Sequence, residues 1–292
     1  MRKRWKEVGL GLLNLLAVVL VIAAAQPMLH KYIPRFFGAD NTDIGAGVLA
    51  VVVLATYVIG SRLIERRIPA ELAANRAVPE LAAGLAIGFL LFAAVMAILF
   101  VARVYVPVGW GSTTRLLNGL FFAVLAGILE EILFRGLLFR LSSKVVGTWG
   151  ALLFTAGLFG LAHLANKGAT VSSSVAIALE AGLLLGAAYA ATERLWLPIG
   201  LHVGWNFTEG SLFGMSVSGN STTNGLLQGS LSGSRLMTGG AFGPEASIVA
   251  VIVCLVAALY FLRRTMKLNR VESPIWRRAA RMGIACGGVI QL

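Results

Sequence analysis

Three apolar stretches of this chain each place ionisable or polar side chains at helical spacing. They are Glu130, Glu131 and Arg135 in the first stretch, His163 with Phe159 four residues before it in the second, and His202 with Asn206 in the third. Ionisable groups are costly to bury among apolar ones, so each needs a partner or a task. Glu131 and Arg135 share one helical face and are expected to form an ion pair, whereas Glu130 points about 100° away. The spacing therefore predicts one structural carboxylate and one that is available for chemistry.

This set of side chains suits the hydrolysis of a carbonyl compound. A carboxylate beside an imidazole can hold a water molecule and take its proton as the water attacks the carbonyl carbon. A second imidazole and an amide can stabilise the oxyanion that forms. One carboxylate and two imidazoles are also the ligand types of catalytic zinc sites, so Glu130, His163 and His202 are candidate ligands of a divalent metal. The residue types leave both chemistries open.

Membrane-spanning helices are the elements that must position these groups. Hydrophobic residues make up 58% of the 292 residues, charged residues only 13%, and the mean hydropathy is +0.82, which excludes an ordinary soluble domain. A spanning helix needs about 20 mostly apolar residues. This length predicts eight spans, at 8–29, 44–61, 81–105, 116–140, 149–166, 172–192, 195–212 and 246–262. We therefore expect an all-α polytopic membrane protein with a polar site inside the helix bundle.

The basic residues predict the orientation in the membrane. The net charge of +12 indicates, in so apolar a chain, loops beside an anionic lipid leaflet rather than a surface for nucleic acid. With the N-terminus in the cytoplasm, 18 of the 25 Lys and Arg residues fall in inner segments and six in outer segments. This distribution predicts an even number of crossings with both termini in the cytoplasm. The first helix is expected to stay uncleaved, because its apolar run is long for a signal peptide.

The three motifs resemble those of the CPBP family. This family comprises CAAX prenyl proteases and bacteriocin-processing enzymes and is also called the Abi family of intramembrane metalloproteases. The resemblance is carried by Glu130-Glu131-x-x-x-Arg135, Phe159-x-x-x-His163 and His202-x-x-x-Asn206, in that order, and by the run Leu195-Trp196-Leu197-Pro198-Ile199 before the last motif. It covers about residues 116–212, with each motif in its own predicted helix.

The resemblance implies a role for each catalytic residue. Glu130 would activate water with the help of His163, while His202 and Asn206 would stabilise the oxyanion. The description of the family as metalloproteases implies a zinc-type ion on Glu130, His163 and His202, although the same residues also fit a glutamate-type hydrolase without metal. The implied activity is that of a CAAX-protease-like intramembrane endopeptidase, which acts on a peptide or membrane protein in the inner membrane of a bacterium.

Four further side chains are expected to support the site. Glu131 and Arg135 do so as an ion pair, and Phe159 as the aromatic member of the second motif. Glu180, near the centre of the predicted sixth helix, is expected to face the polar site, because facing lipid costs about 2.5–3.5 kcal/mol. Glu209, three residues after Asn206, is predicted to lie at a solvated helix end.

The chain divides into four predicted regions. Residues 1–115 hold helices one to three, and 116–212 form the catalytic core with helices four to seven. Residues 213–245, rich in Gly, Ser, Thr and Asn, predict a flexible outer loop, and 246–292 hold helix eight and a basic cytoplasmic tail. The tail is expected to be either an interfacial helix or a solvated segment.

Two alternatives from other functional classes stay open. Buried Glu, Arg and His side chains also form proton relays in transporters, although Pro198 has no counterpart in a first half that would suggest an inverted repeat. A catalytically idle membrane scaffold would need the Glu131–Arg135 pair but not the unpaired Glu130. The sequence contains neither an H-E-x-x-H nor a G-x-S-x-G motif. Its two cysteines form neither a disulfide framework nor a metal-binding spacing.

Overall fold

Helices dominate the fold because a chain in lipid must satisfy its backbone N–H and C=O groups internally. The computed structural model describes residues 2–37, 42–113, 116–220 and 225–277 and is 79% helical. The α-helices are α1 (Arg2–Phe37), α2 (Thr42–Leu63), α3 (Ala77–Val101), α4 (Leu116–Glu131), α5 (Arg140–Ala162), α6 (Val171–Ile177), α7 (Leu183–Thr192), α8 (Trp196–Phe207), α9 (Arg235–Thr238) and α10 (Ile248–Lys267). At this coarse level the prediction of a helical membrane protein is confirmed.

Within the described residues, three segments of π-helix interrupt or extend these helices. Ile132–Phe139 joins α4 to α5, Ala178–Gly182 joins α6 to α7, and Thr208–Leu212 extends α8. A π-helical turn holds more residues than an α-helical turn and is frequent at functional sites. Arg135, Glu180 and Glu209 lie one in each of these segments, so each π-segment presents an ionisable side chain.

Six helices in the described part of the chain are long and apolar enough to cross a membrane, so the predicted count of eight is not confirmed. They are Arg4–Tyr32, Ile44–Leu63, Ala70–Val101, Leu116–Ala165, Val171–Thr192 and Ile248–Lys267. The fourth covers two predicted spans in 50 residues and is broken at Gly147, where φ is 76° and ψ is 175°. The predicted span 195–212 is helical, but its 12 residues of α-helix and five of π-helix fall short of the usual length.

The short helix α8 lies at the centre of the bundle, where it contacts other helices instead of lipid. Every residue from Leu197 to Trp205 is buried. Gly200 and Gly204 of α8 face Gly84 and Gly88 of α3, and a Cβ atom at any of the four would collide with backbone atoms of the opposite helix. Small residues four apart allow this close approach. The contact between the two backbones therefore sets the position of α8.

A two-stranded antiparallel sheet departs from the all-α prediction. Strand β1 (Tyr105–Trp110) pairs with β2 (Leu227–Leu231), with Tyr105 opposite Leu231 and an irregularity between Pro107 and Gly109. The strands are short and irregular. Because β1 begins within the apolar run that predicts the third span, no separate signal for a strand is visible in the sequence. Segment 213–245 also contains α9 and two 3₁₀ turns, Gly240–Phe242 and Pro244–Ala246, and so holds more regular structure than its composition predicts.

Segments that the charge distribution predicts to be cytoplasmic contact one another at one end of the bundle. Their ion pairs are Lys144–Glu7, Arg140–Glu65, Arg194–Glu80 and Arg270–Glu193, with N–O distances of 2.7, 2.8, 3.5 and 3.6 Å. The first two pairs join α1 and the α2–α3 loop to α5, and the other two join the turn after α7 to α3 and to the segment after α10. The last part of the basic tail, residues 278–292, lies outside the described residues.

Glu65 is the centre of a polar network at the same end of the bundle. No sequence motif predicts this network. The Glu65 carboxylate accepts a hydrogen bond from Asn14 of α1 at 2.7 Å and pairs with Arg67 at 2.9 Å and Arg140 at 2.8 Å. Burial alone would raise the pKa of Glu65, but the hydrogen bond from Arg67 and the charge of Arg140 outweigh burial and hold this pKa below its usual range. The network fastens α1 and α2 to the start of α5.

Candidate active site

The ion pair expected for Glu131 and Arg135 lies where α4 passes into its π-segment. Arg135 Nη1 donates to Glu131 Oε1 at 2.8 Å, and the two side chains are 1% and 0% exposed. Arg135 Nη2 also donates to the carbonyl oxygens of Ala181 and Gly182 at 3.1 and 3.2 Å. Both carbonyls belong to the π-segment before α7, so Arg135 fastens the α4–α5 junction to the α6–α7 junction.

The same carboxylate oxygen of Glu131 holds His202 of α8. His202 Nδ1 lies 3.0 Å from Glu131 Oε1. An ionised carboxylate accepts hydrogen bonds but cannot donate, so Nδ1 of His202 carries a proton in this pair. The opposite ring nitrogen, Nε2, therefore turns away from Glu131.

His163 is the C-cap of α5, and Phe159 holds it in place. His163 Nδ1 lies 2.8 Å from the carbonyl oxygen of Phe159, which fixes Nδ1 as the donor and leaves Nε2 as an acceptor in the neutral ring. The two rings also pack together, with centroids 4.5 Å apart. The guanidinium of Arg135 lies 4.9 Å from the centroid of the Phe159 ring. Phe159 thus touches both the ion pair and the histidine.

Glu130 lies between the two imidazole rings. Its Oε2 is 3.9 Å from His163 Nε2 and 4.0 Å from His202 Nε2, too far for direct hydrogen bonds. This oxygen is buried, and none of the described residues gives it a hydrogen bond. The Glu130 side chain is 23% exposed, against 8% for each histidine, so it is the most accessible of the three. Separations near 4 Å between polar groups suit a bridging water molecule.

A small cavity of about 20 Å³, with room for one water molecule, lies beside these groups. His163, His202 and Asn206 line it, and Asn206 lies one helical turn beyond His202 on the same face of α8. The structure thus brings Glu130, His163, His202 and Asn206 to one place.

Glu180 lines the same cavity, as its position in an apolar span predicts. Its side chain is buried and accepts a hydrogen bond from Cys254 Sγ at 3.4 Å. The prediction for Glu209 is wrong: this residue is 0% exposed and accepts from Trp205 Nε1 at 3.1 Å. Glu209 lies in the π-segment after α8 and is covered by the segment before α10, a contact that local sequence does not reveal.

Glu245, which none of the sequence motifs predicts, also lines the cavity, from the turn before α10. It is 2% exposed, and the backbone N–H of Ser218 donates to its Oε1. Its signal in the sequence is weak: an acid after a proline, in a segment whose only other charge is Arg235. Burial raises the pKa of the Glu245 carboxyl above its usual range.

The side chains, as placed, do not form a metal centre. The donor types of Glu130, His163 and His202 suit zinc, but ligands of one tetrahedral zinc ion lie about 3.3–3.5 Å apart. The observed separations of 3.9 and 4.0 Å are wider. Among the residues of known placement, no group of three or more His, Cys, Asp or Glu side chains is arranged to hold a metal ion.

Comparison with known proteins gives one match to a family. No curated protein matches the chain. Residues 112–208, about a third of the chain, match the family described as Rce1-like, type II CAAX prenyl endopeptidase Rce1-like. The matched segment contains all three motifs and the four side chains gathered at the cavity. This match to a family of proteases confirms the resemblance to the CPBP family that the motifs predict.

Proposed function

We propose that this protein is an intramembrane endopeptidase that hydrolyses a peptide bond of a membrane-associated protein or peptide. The main evidence is the position of Glu130 Oε2. It receives no hydrogen bond from the described residues and has one imidazole Nε2 about 4 Å away on either side. The match of residues 112–208 to a family of CAAX prenyl endopeptidases supports the same conclusion. The match to a family of proteases does not favour a transporter. An idle scaffold would leave the available carboxylate without a task.

A water molecule between Glu130 and His163 is the proposed nucleophile. It can donate one hydrogen bond to Glu130 Oε2 and the other to His163 Nε2, because the Nδ1 contact with Phe159 leaves Nε2 as an acceptor. Its oxygen lone pair then faces the cavity and the substrate carbonyl carbon. Glu130 takes the proton as the C–O bond forms and returns it to the departing amine.

His202 and Asn206 are the proposed donors to the oxyanion. Because Nδ1 of His202 already donates to Glu131, Nε2 can donate only when the ring is a cationic imidazolium. The negative charge of Glu131 favours that cation, so Glu131 would act through His202 as a positioning residue. Asn206 would add a neutral amide donor on the same helical face. Loss of one such donor typically lowers the rate by about 10²–10³.

The membrane arrangement that we propose has eight crossings. The broken helix Leu116–Ala165 would cross twice, and residues 196–212 would supply a short, protein-buried crossing. The contacts among the predicted cytoplasmic segments support this parity, since those segments meet at one end of the bundle. The protein would then lie in the inner membrane of a bacterium with both termini in the cytoplasm.

Substitution of Glu130 tests the proposed function. Glu130→Gln keeps the shape of the side chain and removes the base, so peptide cleavage should fall to background while the protein stays inserted and abundant. Membrane and secreted peptides would be compared between cells with the wild-type protein and cells with Glu130→Gln, and the peptides found would be re-tested with purified protein. Glu193→Gln, at a carboxylate that is 62% exposed, is the matched control and should cleave like the wild type. Equal cleavage by wild type and Glu130→Gln would exclude the proposed hydrolase.

A further inference from the structure

Residues 217–220 form a tight turn, the covering turn, at the cavity beside the proposed catalytic groups. Val217 N donates to Asn220 O at 3.0 Å, and Asn220 N donates to Val217 O at 2.8 Å. The two residues at its tip, Ser218 and Gly219, have φ angles of 50° and 79°, as a two-residue turn of this kind requires. Ser218 lines the same cavity as the two proposed catalytic histidines. Part of the predicted outer loop therefore belongs to the site.

Two polar side chains hold the main chain of Ser218. Asn166 Nδ2 donates to the Ser218 carbonyl oxygen at 2.9 Å, and the Ser218 N–H donates to Glu245 Oε1. Asn166 lies three residues after His163, at the end of the 3₁₀ turn that follows α5, and Glu245 lies in the turn before α10. A donor for the C=O and an acceptor for the N–H of one residue complement a peptide main chain, whatever side chain it carries. The covering turn thus occupies a site with the chemistry that binds a peptide.

The covering turn and a substrate cannot occupy this place together. The cavity of about 20 Å³ has room for one water molecule and none for a peptide. Its helical walls include Ile177, Leu184 and Leu201, which belong to the buried apolar core. The covering turn contributes no side chain to the core clusters of the described residues. Hydrogen bonds such as the one from Gly219 N to Phe242 O, at 2.7 Å, hold it instead. It is therefore the part of the wall that can move away without opening the core.

We propose that Asn166 and Glu245 bind the main chain of the substrate peptide beside His163 and His202, and that the covering turn occupies this site until a substrate displaces it. This inference rests on the proposed peptidase function. Asn166 would donate to a carbonyl oxygen of the substrate, and Glu245 would accept from a substrate N–H. Both contacts are to the main chain, so they position a peptide without selecting its side chains.

Gly219→Ala should expel the covering turn and leave both binding side chains intact. A Cβ atom at Gly219 would collide with the carbonyl oxygen of Lys167, and the φ of 79° disfavours any residue with a side chain. With this competitor removed, full-length protein in lipid nanodiscs should cleave a library of internally quenched octapeptides with a kcat/KM at least about fivefold above that of the wild type. Gly233→Ala, at a φ of 123° with open space around its Cβ atom, is the matched control and should cleave like the wild type.

Asn166→Ala in the Gly219→Ala background separates binding of the substrate from fastening of the turn. The turn has already left in that background, so a residue that only fastened it would have no further effect. Loss of a donor to the substrate carbonyl should raise KM for the best-cleaved octapeptide about three- to tenfold, while kcat changes less than about twofold. Lys167→Ala, at the exposed neighbour of Asn166, is the control and should leave KM unchanged. An unchanged KM for the Asn166 variant overturns the proposal.

A labelling measurement keeps the binding site and the peptidase proposal separable. Ser218→Cys is combined with Glu130→Gln, which should not turn over, and with Cys286→Ser, while the remaining Cys254 is buried. Its reaction with a water-soluble maleimide is followed with and without the octapeptides. Peptides that displace the covering turn should raise the labelling rate at least about threefold, and Asn166→Ala should remove this response.

The outcomes of the two assays differ for the two proposals. If the peptides raise the labelling rate in a manner that depends on Asn166 but the wild type cleaves none of them, the peptidase proposal fails and the binding site stands. If cleavage requires Glu130 but the peptides leave the labelling rate unchanged, the binding site alone is overturned. An unchanged labelling rate without any cleavage overturns both.

Discussion

Replacement of Glu131 by glutamine should destabilise the protein, in contrast to replacement of its neighbour Glu130. Oε1 of Glu131 accepts from both Arg135 and His202, and the one oxygen of a glutamine can still do so. What the substitution removes is the negative charge that balances a guanidinium only 1% exposed. It also places an NH₂ group where Oε2 has no hydrogen-bond partner among the described residues.

The expected loss follows from the burial of this pair. Breaking a buried ion pair by removal of one partner costs about 3–5 kcal/mol. Arg135 keeps its bonds to Ala181 and Gly182 and its contact with Phe159, so we expect the lower end, about 3 kcal/mol. This loss is roughly a hundredfold change in the unfolding equilibrium. With about 2–4 °C per kcal/mol for a chain of this size, Tm should fall by about 6–12 °C.

Cys254 provides the assay, because its thiol is fully buried and becomes reactive when α10 separates from α7. A thiol-reactive dye would follow thermal unfolding in detergent, in a Cys286→Ser background that leaves Cys254 as the single cysteine. Glu130→Gln, the same chemical change one residue earlier, should shift Tm by less than about 2 °C, because Glu130 Oε2 has no hydrogen bond to lose. Equal Tm values for wild type, Glu131→Gln and Glu131→Leu would refute the assigned role of the pair.

Three further predictions address the metal, the topology and the cytoplasmic end. His202→Ala should lower kcat/KM by about 10²–10³ without a change in the metal content of the purified protein, measured by mass spectrometry; one tightly bound metal ion per chain that is lost with His202 would support the zinc alternative instead. Reporter fusions after Arg76, Lys144 and Arg264 should give a cytoplasmic signal and a fusion after Arg235 an outside signal, and two or more inverted signals would overturn the eight-crossing arrangement. Because the pKa of Glu65 is lowered in the folded protein, its contribution to stability is present at neutral pH and is lost as the pH falls below about 4.5; the difference in Tm between wild type and Glu65→Gln should shrink there, and a difference independent of pH would contradict this account.

Local spacing predicted the parts of the site that depend on one helix. The Glu131–Arg135 pair follows from a separation of four residues, and the burial of Glu180 follows from the cost of a charge facing lipid. The two histidines and Asn206 were identifiable because each lies on an apolar helix and within a family motif.

Long-range contacts explain what sequence reasoning missed. Glu209 is buried because the segment before α10 covers it, and Glu245 reaches the cavity from beyond a stretch rich in glycine and serine. The predicted count of eight spans is not confirmed, and the reason is related. A fixed length for a spanning helix presupposes contact with lipid, whereas α8 is enclosed by other helices and can be shorter.

The pairing of β1 with β2 has a kinetic consequence. Tyr105 and Leu231 are opposite each other although about 126 positions separate them in the chain. Closing a flexible loop of that length costs roughly 4 kcal/mol of entropy by the (3/2)RT ln n relation, before a few sheet hydrogen bonds can compensate. The two-stranded sheet can therefore form only after the intervening helices have assembled and brought its strands together. Its backbone amides should be among the last to gain protection from hydrogen exchange during folding and among the first to lose it when the bundle loosens.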